Sequence, residues 1–253
     1  MIVGNWLRLL FVLGLYVGSV LLMVSGMWFL GLALHTLVVG AVLWGTLNPS
    51  SGLFGSIQTK TDSAKLWLTL DDGPGPETTP EILKILGEKK VQATFFLIGE
   101  KAERYPELVR DIVTAGHQIA NHTQSHPQAS FWCKGPARTQ REIETCQSVL
   151  EKITGTAPNF FRAPVGHHNL FVHPVLKQNQ MRLIGWSCRG FDAVERPLSE
   201  VMELITKQMQ PNSIILAHEA TAIASNVVAG IIDHAEGQGW SFINPLEEVS
   251  SQR

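Results

Sequence analysis

Leu66-Trp67-Leu68-Thr69-Leu70-Asp71-Asp72-Gly73-Pro74 is the stretch on which the reading of this chain turns. An apolar run alternating with Thr reads as a buried strand. It leads directly into two adjacent carboxylates and then a Gly-Pro breaker. In α/β folds, strands deliver catalytic groups at their C-terminal ends, where the chain turns outward. Taken alone, Asp-Asp-Gly-Pro is a good turn. His122, His126 and His218 each fall near the end of another strand-like run, however, and two acids with three spaced histidines are the raw material of a metal-assisted hydrolase.

Working outward, strand-like runs recur at 91–98, 117–121, 159–162, 181–187, 213–218 and 240–243. Between them lie helical patterns at 80–90, 105–115, 139–154, 172–180, 198–210 and 223–236. Strands separated by helices of this length pair in parallel through crossovers. The expectation is an α/β domain, a distorted (β/α) barrel of about seven parallel strands, with an open doubly wound sheet as the alternative.

The N-terminal part is different. Leu9 to Leu47 is almost wholly apolar, with His35 its only ionisable side chain. As one helix it would be about 58 Å long, nearly twice the roughly 30 Å of a hydrocarbon core. Two transmembrane helices are therefore expected, about 6–24 and 28–47, broken near Ser25-Gly26, with Trp6, Trp28 and Trp44 near their ends. A signal peptide has a much shorter apolar region; one long signal anchor is the second choice. Residues 48–63 read as a linker and 64–253 as the catalytic domain. A hairpin keeps Arg8, Lys60 and Lys65 on one side, and the positive-inside rule places that side in the cytoplasm.

The 253 residues suffice for one large domain and an appendage, and the formal net charge of −2 with no basic block argues against nucleic acid. Cys133, Cys146 and Cys188 form no C-x-x-C pair, so no disulfide framework is expected. Cys188 is read as a packed thiol.

His122-Thr-Gln-Ser-His126 places two imidazoles four residues apart, on one helix face or within a tight loop, and either arrangement can bind one ion. Joined by an acid from the Asp pair, they would form a His₂Asp site with an open position. Such N/O ligation suits zinc, and also cobalt or nickel.

These residues also carry a family resemblance. Thr69-Leu70-Asp71-Asp72-Gly73-Pro74 resembles the first motif of the NodB-homology polysaccharide deacetylases, carbohydrate esterase family 4. His122-Thr-x-x-x-His126 resembles the second, Arg162-Ala-Pro164 the third and Leu216-Ala-His218 the fifth. The fourth is looser, Trp186 followed by Asp192 in Trp-Ser-Cys-Arg-Gly-Phe-Asp. The motifs run in family order over about 66–245. The resemblance implies Asp71 as general base, Asp72, His122 and His126 as metal ligands, and His218 as general acid. It implies further that Arg162 holds Asp71, that Asp192 pairs with His218, that Leu216 shapes the acyl pocket, that Trp186 binds substrate, and that the Val165 N–H faces the oxyanion.

The expected activity is hydrolysis of an N-acyl group, acetyl or formyl, on an amino sugar. The two spans make a lipid-linked glycan a sensible substrate, since enzyme and substrate would share the bilayer plane. The competing readings are an outward-facing peptidoglycan or polysaccharide N-deacetylase and a catalytically inactive glycan-binding module. After Pro164 the chain reads Val165-Gly-His167-His168-Asn169, where many sugar-polymer deacetylases carry an aromatic residue; this is read as a loop lining the substrate groove.

Overall fold

Seven parallel strands make one sheet in a computed structural model of the chain, which describes residues 3–246 and only the backbone at 3–6, 8 and 9. They are β1 (Trp67–Gly73), β2 (Thr94–Leu97), β3 (Gln118–Asn121), β4 (Phe160–Phe161), β5 (Arg182–Leu183), β6 (Cys188–Arg189) and β7 (Ile214–His218), in the spatial order β5-β4-β3-β2-β1-β7-β6. β5 and β6 are thus opposite edges of the sheet, yet only residues 184–187 separate them in the chain. Five residue steps reach at most about 18 Å. The sheet must therefore curl until its edges nearly meet, which yields a distorted barrel and excludes the open doubly wound sheet.

Alternation sorts the side chains of each strand into two cores. Trp67, Phe96, Ala120, Phe160, Ile184 and Ile214 fill the barrel interior, where Trp67 Nε1 donates to Thr94 Oγ1 over 2.8 Å. Leu66, Leu68, Leu70, Phe95, Ile119, Cys188 and Ile215 face outward under the helices. After the N-terminal α1 and α2 described below, those helices are α3 (Thr78–Lys89), α4 (Gly99–Arg104), α5 (Pro106–Thr114), α6 (Pro136–Thr154), α7 (Val172–Gln178), α8 (Leu198–Gln208) and α9 (Ala224–Gly237). α6 shows why such elements start and stop where they do. Pro136 opens it, where a missing N–H removes nothing from the helix. Gly155 closes it in the left-handed region, its N–H donating to Glu151 O over 2.7 Å.

Two expectations are corrected. Residues 181–187 are not one strand: the run is interrupted at 184–187, where it crosses between the sheet's edges. Residues 240–243 form no strand; one parallel bridge, Leu66 to Phe242, is all that joins them to the sheet. The short helix α4 falls in a stretch where no helix was expected.

The apolar N-terminal region forms two helices, α1 (Val3–Val24) and α2 (Trp28–Leu47), turning at Gly26 (φ +89°). They touch closely at Gly31, where an added Cβ would lie 2.8 Å from the Ser19 carbonyl oxygen. His35 lies between them, with Nδ1 3.2 Å from Ser19 Oγ. Among the described residues, α2 is long and apolar enough to cross a membrane, while the apolar part of α1, Leu10–Val24, is shorter. Phe11, Trp28, Phe29, Leu37 and Trp44 point outward as a bare apolar belt. The side chains of Trp6 and Arg8, cited above for the span end and orientation, and the chain beyond Leu246 lie outside the described residues.

Candidate active site

The C-terminal ends of β1, β3, β4 and β7 converge on one cavity of about 240 Å³, walled by Asp71, Asp72, His122, His126, Val165, Trp186, Leu216 and His218 among others. On β1, Thr69 and Asp71 share the inward face. Asp72 would point away on a regular strand, but its φ is +72° and the register with β2 slips between Asp71 and Gly73. This bulge turns both neighbouring carboxylates into the same site. Lys101 Nζ pins the turn through a 2.7 Å bond to the Asp72 carbonyl.

His122 and His126 sit on a tight loop, not a helix, with Thr123 and His126 both at positive φ. Asn121 organises this loop: its Nδ2 donates to Ile143 O over 2.8 Å and its Oδ1 accepts from Thr123 N over 3.0 Å. His122 Nδ1 lies 2.8 Å from the Arg162 carbonyl, which can only accept. Nδ1 therefore carries the hydrogen, and in the neutral ring Nε2 presents a lone pair to the cavity.

One atom each from Asp72, His122 and His126 lies within 4.8 Å of the others. His122 Nε2 is 3.4 Å and His126 Nε2 3.1 Å from Asp72 Oδ1, a buried oxygen with no hydrogen-bond donor. A buried carboxylate oxygen facing two imidazole nitrogens, each able to present a lone pair as the neutral ring, is a donor set that fits a divalent ion. Burial works to raise the pKa of Asp72, but His122, His126 and the charge of His218 outweigh it and hold the carboxyl well below its usual range. Burial, with the neighbouring His122, pushes His126 down to about 4.

Two buried ion pairs flank this set. Arg162 is 1 % exposed, and its Nη1 donates to Asp71 Oδ1 at 2.6 Å and to Thr69 Oγ1 at 2.9 Å. Its Nε and Nη2 reach the Ile184 and Gly185 carbonyls at 3.2 and 2.9 Å, and its Cζ lies 4.1 Å from the Phe96 centroid. It is thus an internal strut and not a surface residue. Asp192 caps no helix: its Oδ1 is 2.9 Å from His218 Nδ1 and its Oδ2 accepts the His218 backbone N–H at 2.7 Å. Burial works to lower the pKa of His218, but this carboxylate, together with the charges of Asp71 and Asp72, more than offsets it, and the net direction is upward.

Val165 stands at the mouth with φ +58°, Leu216 is buried in the wall, and Trp186 packs against Gly166. Gly166 (φ +75°) admits no side chain: a Cβ there would strike Trp186 and lie 2.8 Å from Pro49. Of the neighbouring histidines, His168 does not face the groove. It is buried under the linker against Phe54 and His173, at ring distances of 6.1 and 5.8 Å. Cys188 also points away, its Sγ donating to Ile205 O over 3.3 Å, with burial pushing the thiol up to about 12.

Sequence reasoning gave no role to three residues. Asn121 gives no motif signal. Glu219 stands out only because acids are seldom buried: it is fully enclosed, bonded to Thr79 Oγ1, and its Oε2 fills the space that any Gly73 side chain would need. Burial pushes its carboxyl up to about 7. The third, Arg189, lies in the wall of the same cavity.

The profile of the polysaccharide deacetylase family matches residues 58–184, beyond the helical hairpin. A chitooligosaccharide deacetylase of Sinorhizobium fredii is 32% identical over 159 residues, covering 63% of this chain and 74% of that protein. Among solved structures, the Bc1960 peptidoglycan N-acetylglucosamine deacetylase superposes with a TM-score of 0.67 at 29% identity, covering 74% of this chain and 89% of the other. Peptidoglycan deacetylase PdaC from Bacillus subtilis gives the same TM-score and identity over 76% and 94%.

Proposed function

Because the chain belongs to the polysaccharide deacetylase family, hydrolases acting on carbon–nitrogen bonds, we propose that it removes an N-acyl group, acetyl or formyl, from an amino sugar. The observation that carries this reading is the convergence of Asp72 Oδ1 and two imidazole Nε2 atoms beside both buried ion pairs in one cavity. Asp72, His122 and His126 would hold a divalent cation, zinc by the donor set, with cobalt or nickel as alternatives. Such a cation supplies Lewis acidity and lowers the pKa of bound water.

The chain's own residues supply the rest. Asp71, held by Arg162, takes the proton of the attacking water at the carboxylate edge that Arg162 leaves open. His218, with Asp192 on Nδ1, presents Nε2–H to the leaving nitrogen and protonates it as the C–N bond breaks. The Val165 N–H would face the developing oxyanion, and Leu216 with Trp186 would border the acyl group.

The exposed apolar belt of α1 and α2 supports a two-span membrane anchor, with the catalytic domain on the cytoplasmic side by the charge rule. A substrate linked to a lipid then shares the bilayer plane with the site. The activities named for the relatives favour a second reading, an outward-facing peptidoglycan deacetylase. The test is full-length protein in detergent, assayed for metal content and for release of acetate or formate from N-acyl amino sugars. One cation per chain and release abolished by a chelator are expected; chelator-resistant release overturns the reading. Mass spectrometry of lipid-linked glycans and of peptidoglycan, with and without the active protein, separates the two substrates.

A further inference from the structure

Arg189 lies in the cavity wall, and the hydrolytic steps leave it unused. On β6, Cys188 faces outward under α8, so Arg189 faces inward, registered beside Leu216. Its guanidinium stacks 3.7 Å from the Phe191 centroid and 5.4 Å from that of Trp186. Contact with ring faces does not use up the guanidinium's N–H groups, which remain available for bidentate bonds to oxygen. Among the described residues Arg189 makes no ion pair and no side-chain hydrogen bond. The acid that acts on it, Asp192, has both oxygens committed to His218. A half-buried guanidinium held rigid, stacked and unpaired in a substrate cavity is built for an anion that arrives with the substrate.

The position of the cavity narrows the choice of anion. Gly166 in its wall packs on Pro49, just beyond the end of α2 at Leu47. The mouth therefore opens beside the end of the apolar hairpin. Val165, Phe191 and Val194, 46%, 44% and 56% exposed, give that mouth an apolar rim. A phosphate that joins a sugar to a membrane lipid would stand at this level, between an apolar chain and the reacting sugar.

We propose that Arg189 forms an anion subsite for the phosphate of an amino sugar carried on a lipid phosphate. The proposal rests on the deacylase and membrane readings above and adds the substrate's charged group. The same edge would accept a sugar carboxylate, so the experiment must separate the two. Metal-loaded, full-length protein in detergent is titrated with N-acetylglucosamine 1-phosphate, the neutral methyl glycoside of N-acetylglucosamine, and N-acetylmuramic acid. A charge-assisted pair predicts that the phosphate binds about ten- to a hundredfold more tightly than the neutral sugar. Arg189→Gln should bring that ratio close to one, and Arg189→Lys, which keeps the charge without the fork, should retain part of it. The proposal is overturned by a wild-type ratio near one, by a ratio that survives Arg189→Gln, or by tighter binding of N-acetylmuramic acid than of the phosphate. Acyl release from the same compounds is measured separately. An intact binding ratio without release counts against the deacylase reading and leaves the anion subsite standing.

Discussion

Arg162 Nη1 lies 2.6 Å from Asp71 Oδ1, and the two side chains are almost wholly shielded from water. Ninety-one positions of sequence separate them. The contact joins β1 to the end of β4 across the barrel interior. Breaking a buried pair from one side leaves an uncompensated charge, which typically costs about 3–5 kcal/mol. Arg162→Met should lose about that much stability, because it also strands the Ile184 and Gly185 carbonyls, and should abolish turnover. Denaturant unfolding of both proteins in the same detergent checks the first part, and acyl release the second.

The neighbouring acids should separate under mutation. Asp72 contributes the oxygen that faces both imidazoles, whereas Asp71 is tied to Arg162. Asp71→Asn should keep the metal and lose about 10²–10⁴-fold in rate. Asp72→Asn should weaken metal affinity and regain activity partly at high metal concentration. Metal content and rate, measured on the same preparations, decide the matter; the opposite pattern would exchange the two roles.

The pair of His218 and Asp192 sets a pH dependence. Burial alone would lower the pKa of His218; the Asp192 carboxylate first, then the charges of Asp71 and Asp72, reverse that direction. If the protonated ring is the acid, as proposed, the rate falls as pH rises through this raised pKa. Asp192→Asn removes the charge and leaves the burial, so the alkaline limb of kcat/KM should move to lower pH. A limb that stays in place would assign it to another group. The stability contributed by the pair has the same sign, present below the unfolded pKa near 6.5 and lost as pH rises through the folded one.

Glu219 gives a second pH signature, in stability. Its carboxyl is at about 7 in the fold, against 4.5 when exposed. The folded state therefore holds the proton more tightly, and the stabilisation is present below 4.5 and lost as pH rises towards 7. Glu219→Gln should remove this slope, gaining on the wild type by on the order of 2–3 kcal/mol between pH 4.5 and pH 8. Melting temperatures of both proteins across that range test it.

If α1 and α2 both cross the bilayer, the two termini lie on one side. Tags at either end of the full chain should then show the same protease access in sealed vesicles. Opposite access would mean a single span.

Much of the site was legible in the sequence because its signals are local. Alternation from Leu66 to Leu70 marks a strand, Gly73-Pro74 marks its end, and the acids between them must lie at its rim. Helical periodicity in 139–154 and the charge-free run of 9–47 are equally local, since each depends on neighbours within two or three turns. What the tertiary structure alone decided involves partners distant in the chain or conformations without a residue-type signature. The left-handed φ of Asp72 turns one acid beside the other, a conformation that Asp tolerates better than most residues but that its identity alone does not announce. Strands of two residues, such as β5 and β6, are too short to show any period; the curl of the sheet places them at opposite edges. In the sequence, Arg162 and Asp192 are tied to their partners by the family motifs alone, and Glu219 by nothing; composition would leave all three charged residues in water. They are buried because the closed barrel brings each to a partner, Asp71, His218 and Thr79, that only the folded chain can supply.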